Sequence, residues 1–199
     1  MTEEQLLVPL DMYLKAGLHI GTKYKAKDME GFVYKVRTDG LAVFNVQKID
    51  ERIGTVAKFL AQFKPDEILV VGRRENSWKA IKLFGEVTGS KYFAGRYPPG
   101  VLTNPNLDNF IEAKVLIVTD PWPDKNAIND AVKIGIPVIA LCDTNNETNF
   151  VDIVIPCNNK GKKSLALFFW ILAREYLKLR EIIKTDKDMK YSVDDFTAE

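Results

Sequence analysis

Asp120 and Asp143, each closing an apolar run, and the pair Arg73 and Arg74 after "LVVG" are the residues whose types and positions best suit covalent chemistry. Two carboxylates at the carboxyl ends of strands can hold Mg²⁺ or divide acid and base work, with an arginine against a substrate phosphate. Their neighbours do not complete such a set. Asp120 leads into "PWPDKN" and Asp143 into "TNNETN", which supply neither a nucleophile with a base beside it nor a glycine-rich phosphate loop. Aspartates in such places also cap helices and close turns. An enzyme or small-ligand domain built on Asp120, Asp143 and Arg73 therefore stands as the rival reading, and a protein-only adaptor as a third.

The stretch "NKGKKSLA" (159–166) resembles the end of a P-loop, but its spacing is wrong. That motif needs glycine where Pro156 stands and Ser or Thr where Lys163 stands. Lys160, Lys162 and Lys163 instead precede or open a helix, whose positive dipole end disfavours cations unless an anion is also present. They lie outside the apolar stripe that follows, so replacing all three by Gln is expected to leave the fold intact. His19, the one histidine, has no second imidazole, carboxylate or thiol close in sequence and reads as an orienting hydrogen-bond residue. Cys142 and Cys157 form no Cys-x-x-Cys pair, so no zinc site is expected, nor any cofactor.

Basic stretches interleaved with aromatics carry more information. "TKYKAK" (22–27) brings Lys23, Tyr24, Lys25 and Lys27, "GRRENSWK" (72–79) brings Arg73, Arg74, Trp78 and Lys79, and "GRYPPG" (95–100) brings Arg96 and Tyr97. Arg and Lys can meet phosphates while Tyr24, Trp78 and Tyr97 can stack on exposed bases or riboses. With Lys160, Lys162 and Lys163 these form the expected polyanion surface. The alternative is that the lysines are a solvated face and the aromatics complete the core.

Composition sets bounds on these readings. A chain of 199 residues, 46% hydrophobic, can bury roughly two-thirds of its unfolded surface, and it reads as one domain. The acidic start Met1-Thr2-Glu3-Glu4 is unlike a signal peptide, and with two cysteines it makes a reducing cytoplasm the expected compartment. The longest apolar run, Leu165 to Ala173, has nine residues, whereas a bilayer span needs about 20, so no membrane partner is expected. Net charge is +1, but residues 185–199 hold five acids against two lysines, leaving 26 basic and 22 acidic residues on the rest. The expected layout is a mildly basic domain over 1–184 and an acidic, loosely ordered tail over 185–199.

The elements that must position these residues follow from periodicity. Pro9 to Leu14 reads as a short helix stopped at Gly17, and "GFVYKV" (31–36) and "LAVFNV" (41–46) form a hairpin about Asp39-Gly40. Ile49 to Phe63 has helical spacing and ends at Pro65, before "EILVVG" (67–72). A helix from Asn76 or Ser77 to Gly89, "KYFAG", "KVLIVTD" (114–120), a helix from Lys125 to Ile134, "IPVIALCD" (136–143), "DIVIP" (152–156) and a helix from Lys162 to Ile183 complete the order. This alternation predicts an α/β fold, a parallel sheet with helices on both faces and an N-terminal hairpin. In the last helix Phe168, Ile171, Leu172 and Leu179 are expected on the sheet, with Arg174, Lys178 and Arg180 facing solvent or a neighbour.

Three stretches, "LVPLDMYLKAGLHIGT" (7–22), "RYPPGVLTNP" (96–105) and the long run from "DPWPDKN" to "ILARE" (120–175), closely resemble the small-subunit ribosomal protein S-two family in its archaeal form, kin to the eukaryotic SA or laminin-receptor-like protein. The resemblance covers the chain to about Arg180. It implies a flavodoxin-like, Rossmann-like domain without catalysis, binding small-subunit rRNA and neighbouring ribosomal proteins between head and body, close to where mRNA leaves. Bacterial relatives insert a helical coiled-coil hairpin, and no sustained heptads occur here. Thr22 stands where bacterial members commonly have His, which leaves a polar role. The long acidic extension of eukaryotic relatives is present only as the short tail.

Overall fold

The computed structural model describes residues 6–185 and 188–198. Helix α1 (Leu10–Ala16) ends where Gly17 takes φ 70°, a conformation glycine adopts without steric cost. Strands β1 (Val33–Val36) and β2 (Ala42–Phe44) form the antiparallel hairpin, closed where Gly40 donates to the Arg37 carbonyl. Helix α2 (Val46–Leu60) is capped by Asn45, whose side chain accepts from the Gln47 N–H. It buries Ile49, Ile53, Val56, Ala57 and Leu60, the stripe its spacing demands.

There follow β3 (Ile68–Gly72), α3 (Glu75–Thr88), β4 (Lys91–Ala94), β5 (Val115–Val118), α4 (Lys125–Ile134), β6 (Val138–Cys142), β7 (Ile153–Pro156), α5 (Lys162–Leu179) and α6 (Val193–Phe196). The five strands from β3 onward make one all-parallel sheet in the order β4-β3-β5-β6-β7. Every residue of β3, β5 and β6 is buried, as strands covered on both faces require. From β3 the chain steps one way along the sheet to β4, and from β5 it steps the other way to β6. Right-handed crossovers therefore put α3 and α4 on opposite faces. The order reverses between β3 and β5, which makes their carboxyl ends the crevice where ligands bind in folds of this flavodoxin-like order.

Helix α5 packs against both α2 and α3, with Phe169 meeting Phe84 edge to face at 5.5 Å between ring centres. Phe168, Ile171 and Leu172 are fully buried, as expected. The helix stops at Leu179, four residues short of its expected end, because Arg180 leaves helical geometry and Glu181 takes φ 58°. Leu179, in the last turn, is 44% exposed rather than packed on the sheet. Arg174, expected in solvent, is buried instead. It donates to the Leu7 carbonyl at 2.7 Å, pairs with Glu175 and lies over the Trp170 ring, because the N-terminal segment crosses the helix there.

The tail also departs from its sequence pattern. Residues 193–196 form α6, opened by a Ser192–Asp195 capping box, and Phe196 is fully buried in the main core. Trp170 Nε1 donates to the Tyr191 carbonyl at 2.9 Å. A four-residue helix is too short to show a period, which is why the sequence hid it. Asp186, Lys187 and Glu199 of the expected acidic tail lie outside the described residues.

Candidate nucleic-acid interface

Of the residues first singled out for chemistry, Arg74 and Asp120 meet in the crevice between β3 and β5, Asp143 joins them from the end of β6, and each carboxylate finds a cation within the protein. Arg74 Nε donates to Asp120 Oδ2 at 2.6 Å, and its Nη2 reaches the same oxygen. Asp120 Oδ1 accepts from the Trp122 N–H and from Asn146 Nδ2. Asn146 Oδ1 in turn accepts from the Asp143 N–H and from Asn159 Nδ2. Asp143 Oδ2 takes Lys160 Nζ at 3.0 Å, while its Oδ1 closes a turn with the Thr144 N–H. Lys160 Nζ also donates to Asn145, and its carbonyl accepts from Asn76 Nδ2 at the start of α3. Both aspartates are thus spent internally, with side chains only 1% exposed. Gly72 lets β3 turn into this network: a side chain there would overlap Ser77, Ile81 and Thr119.

Asp124, also buried, lies beside this network. Its Oδ1 accepts from the Arg73 N–H, and its Oδ2 takes the Thr119 hydroxyl at 3.5 Å. Burial, helped by the charge on Asp120, pushes its carboxyl up to about 7. Among the described residues no three His, Cys, Asp or Glu side chains are grouped closely enough to hold a metal ion, and no helix is long and apolar enough to cross a membrane.

Around this closed crevice lie loops that expose their cations. The segment carrying Lys23, Tyr24, Lys25 and Lys27 is tied to the β6 loop: the Thr22 N–H donates to Thr144 Oγ1, the Ala26 N–H to the Thr144 carbonyl at 2.7 Å, and Thr148 to Asp28. All four of its candidate residues are exposed. Arg73 and Arg96, apart in sequence, line one small cavity of about 180 Å³ together with Asn126 and Asp124. Trp78, partly exposed, donates through Nε1 to the Arg73 carbonyl, beside Gly95. Lys162 and Lys163 are exposed at the α5 N-terminus. Asn76 joins this end to the start of α3, so every candidate lies at the carboxyl edge of the sheet or on a helix that starts there.

Three candidates differ from their expected roles. Tyr97 is not a stacking platform: it is 4% exposed, packs edge-on against Phe93, and its hydroxyl donates to Asp130 and accepts from the Leu102 N–H. A buried acid drew that ring inward. Arg74 and Lys160 point into the crevice toward Asp120 and Asp143, because a buried carboxylate needs a paired cation. Lys79 remains exposed on α3, where its charge is felt by Asp195 of the tail. His19 is half-buried; burial lowers its pKa against a hydrogen bond to the Tyr13 backbone, and its Nδ1 meets no partner among the described residues. Thr22, with its hydroxyl bonded to Thr144, has the polar role expected of it.

Sequence reasoning missed the aromatics opposite Tyr24. Trp122, Phe150 and Tyr24, exposed by 79%, 64% and 74%, line a cleft of about 410 Å³ with Lys125 and several amides. Phe150 holds φ 62°, unusual for a bulky residue and the kind of outlier that marks functional loops. The available signal was the placement of Trp122 between two prolines and Phe150 after "NNETN", large apolar rings among turn formers where nothing could bury them.

A family model described as ribosomal protein S2 matches residues 13–111 and 109–178. The small ribosomal subunit protein uS2 of Nanoarchaeum equitans is 54% identical over 190 residues, 96% of this chain and 94% of that protein. Its counterpart in Picrophilus torridus is 48% identical over 199 residues, the whole of both chains, and that of Thermoplasma acidophilum 49% identical over 197 residues, 99% of each. Matched through most of its length and close to half identical to relatives of the same extent, the chain belongs to the ribosomal protein S2 family.

Proposed function

We propose that this chain is a structural constituent of the small ribosomal subunit, working in the cytoplasm, and that it binds small-subunit rRNA through the loops at the carboxyl edge of its sheet. Lys23, Tyr24, Lys25, Lys27, Arg73, Trp78, Lys79, Arg96, Lys162 and Lys163 meet RNA, while Arg74, Tyr97 and Lys160 hold the loops in place from inside. Residues 1–184 act as one RNA-binding domain, with the 185–199 tail set against it through Phe196. Neighbouring small-subunit proteins complete the setting, between head and body and near the mRNA exit. The chain performs no catalysis.

One observation carries this reading. The crevice that serves as a ligand site in folds of this order is filled by the protein's own Arg74–Asp120 and Lys160–Asp143 pairs, while the loops around it hold exposed cations and rings. With a net charge of only +1, affinity comes from a shaped surface rather than general attraction. The test is binding of the full chain to small-subunit rRNA across a salt series. Each phosphate met contributes about −0.7 to −0.9 to the slope of log affinity against log salt. Eight contacts, one for each of these cations, then give a slope on the order of −6 to −7. A flat salt response would sink the reading, as would turnover lost on Asp120→Asn or Asp143→Asn.

A further inference from the structure

The three rings of the cleft between Tyr24, Trp122 and Phe150 have no part in the core, although Asn145 and Asn146 in its lining belong to the crevice network. Its three rings come from three separate loops, after Gly21, after β5 and before β7, and all three are mostly exposed. Exposed single aromatics are ordinary, but three around one cavity of about 410 Å³ are a site. The volume is near the lower end for small-molecule pockets, which suits one ring system and its sugar rather than a helix or strand. The side chains of Asn129 and Asn149 are exposed at its wall; Asn149 Nδ2 donates to Glu147 at 3.4 Å, and its carbonyl oxygen and the Asn129 amide face the edge a heterocycle would present. Glu147 at the same wall disfavours a bare phosphate inside. The rims are cationic: Lys23, Lys25 and Lys27 flank Tyr24, and Lys125 lies by Trp122.

We infer that this cleft takes one unpaired nucleobase of an RNA strand, stacked on Trp122 and Tyr24, with the flanking phosphates met by the lysines of the rims. Apolar walls with amides suit the base, and cations outside suit the backbone on either side of it, a division that single-stranded RNA requires and an aromatic peptide does not. The inference rests on the rRNA-binding reading and deepens it: duplex geometry alone cannot fill the cleft, so a bulged or looped-out nucleotide is the occupant.

The test uses the full chain with a short unstructured RNA carrying one 2-aminopurine, an RNA duplex of similar charge, and small-subunit rRNA. The parent should quench the 2-aminopurine fluorescence on binding, since stacking on indole quenches it. Trp122→Ala and Tyr24→Ala should each weaken single-strand binding on the order of 5- to 150-fold, the first abolishing the quenching and the second reducing it, and both should leave the salt slope, the duplex affinity and the melting temperature as in the parent. Variants that bind and quench like the parent, while the parent binds rRNA with a steep salt slope, would overturn the base site and leave the rRNA reading standing. Unchanged RNA binding with loss of a neighbouring protein from reconstituted subunits would also overturn it, assigning the cleft to a peptide. A parent that binds neither the oligonucleotide nor rRNA would take both readings down.

Discussion

The crevice between β3 and β5 and the cleft beneath Tyr24 and Trp122 share the same edge of the sheet and treat their polar groups in opposite ways. In the crevice each functional side chain already has its partner, from Arg74–Asp120 through Asn146 to Asp143–Lys160. In the cleft the rings are bare, Lys125 is exposed in the lining, and Lys23, Lys25 and Lys27 lie on the segment that carries Tyr24. A strand-end position says where a ligand can bind, but internal satisfaction decides whether anything is left to bind it. The inner network is scaffold, and the outer loops are the interface we propose.

Breaking the inner network should have the largest effect. Asp120→Ala removes the acceptor of Arg74, of Asn146 and of the Trp122 N–H, and should cost about 2 to 4 kcal/mol in urea unfolding, since Arg74 keeps some solvent contact. An undiminished midpoint would mean that the crevice is not scaffold.

Next is pH. The folded state holds the Asp124 carboxyl near 7, above its ordinary range, so protonation favours folding. Its contribution to stability is fully present below about pH 4, the unfolded value, and is lost as pH rises through about 7. Stability should fall across that window, and Asp124→Asn, which keeps an acceptor for the Arg73 N–H, should flatten the curve. Melting temperatures at matched ionic strength, from pH 4 to 8, check it. The same slope in both proteins would place the titration elsewhere.

The lysine junction sharpens the comparison within four residues. Lys160→Gln should destabilise by about 1 to 2 kcal/mol, because Asp143 stays buried without its cation. The expectation that replacing all three lysines leaves the fold nearly intact therefore holds for Lys163 but not for Lys160. Lys163→Gln should fall within about 0.5 kcal/mol of the parent yet lower the salt slope of rRNA binding by about 0.7 to 0.9. If Lys163→Gln melts low or Lys160→Gln melts like the parent, inner and outer roles have been exchanged.

Much of the fold was legible in the sequence because its strands are fully buried: "ILVVG", "VLIV" and "VIALC" have almost no polar side chain to misread. Gly17 and Asp39-Gly40 likewise mark their own turns. What escaped depended on partners distant in sequence. Arg174 looked exposed by helical phase, yet Leu7, 167 positions away, covers it. Tyr97 had the company of an RNA-stacking ring, but Asp130 drew it into the core. Lys160 matched Lys162 and Lys163 by type, and only the fold set Asp143 beside it. Trp122 and Phe150 escaped because they stand outside the basic stretches that marked Tyr24, Trp78 and Tyr97.

Mapping the RNA contacts directly is the measurement that bears most on this division of one sheet edge into scaffold and interface. Small subunits containing the full chain, irradiated and digested, should give RNA-linked peptides from 22–27, 121–126 and 145–150, with further links at Arg73, Arg96 and Lys163. The amino ends of the strands, where Lys64, Lys91 and Lys114 are equally exposed, should give none. Links gathered at Lys64, Lys91 and Lys114, with the carboxyl-edge loops unlinked, would contradict the account.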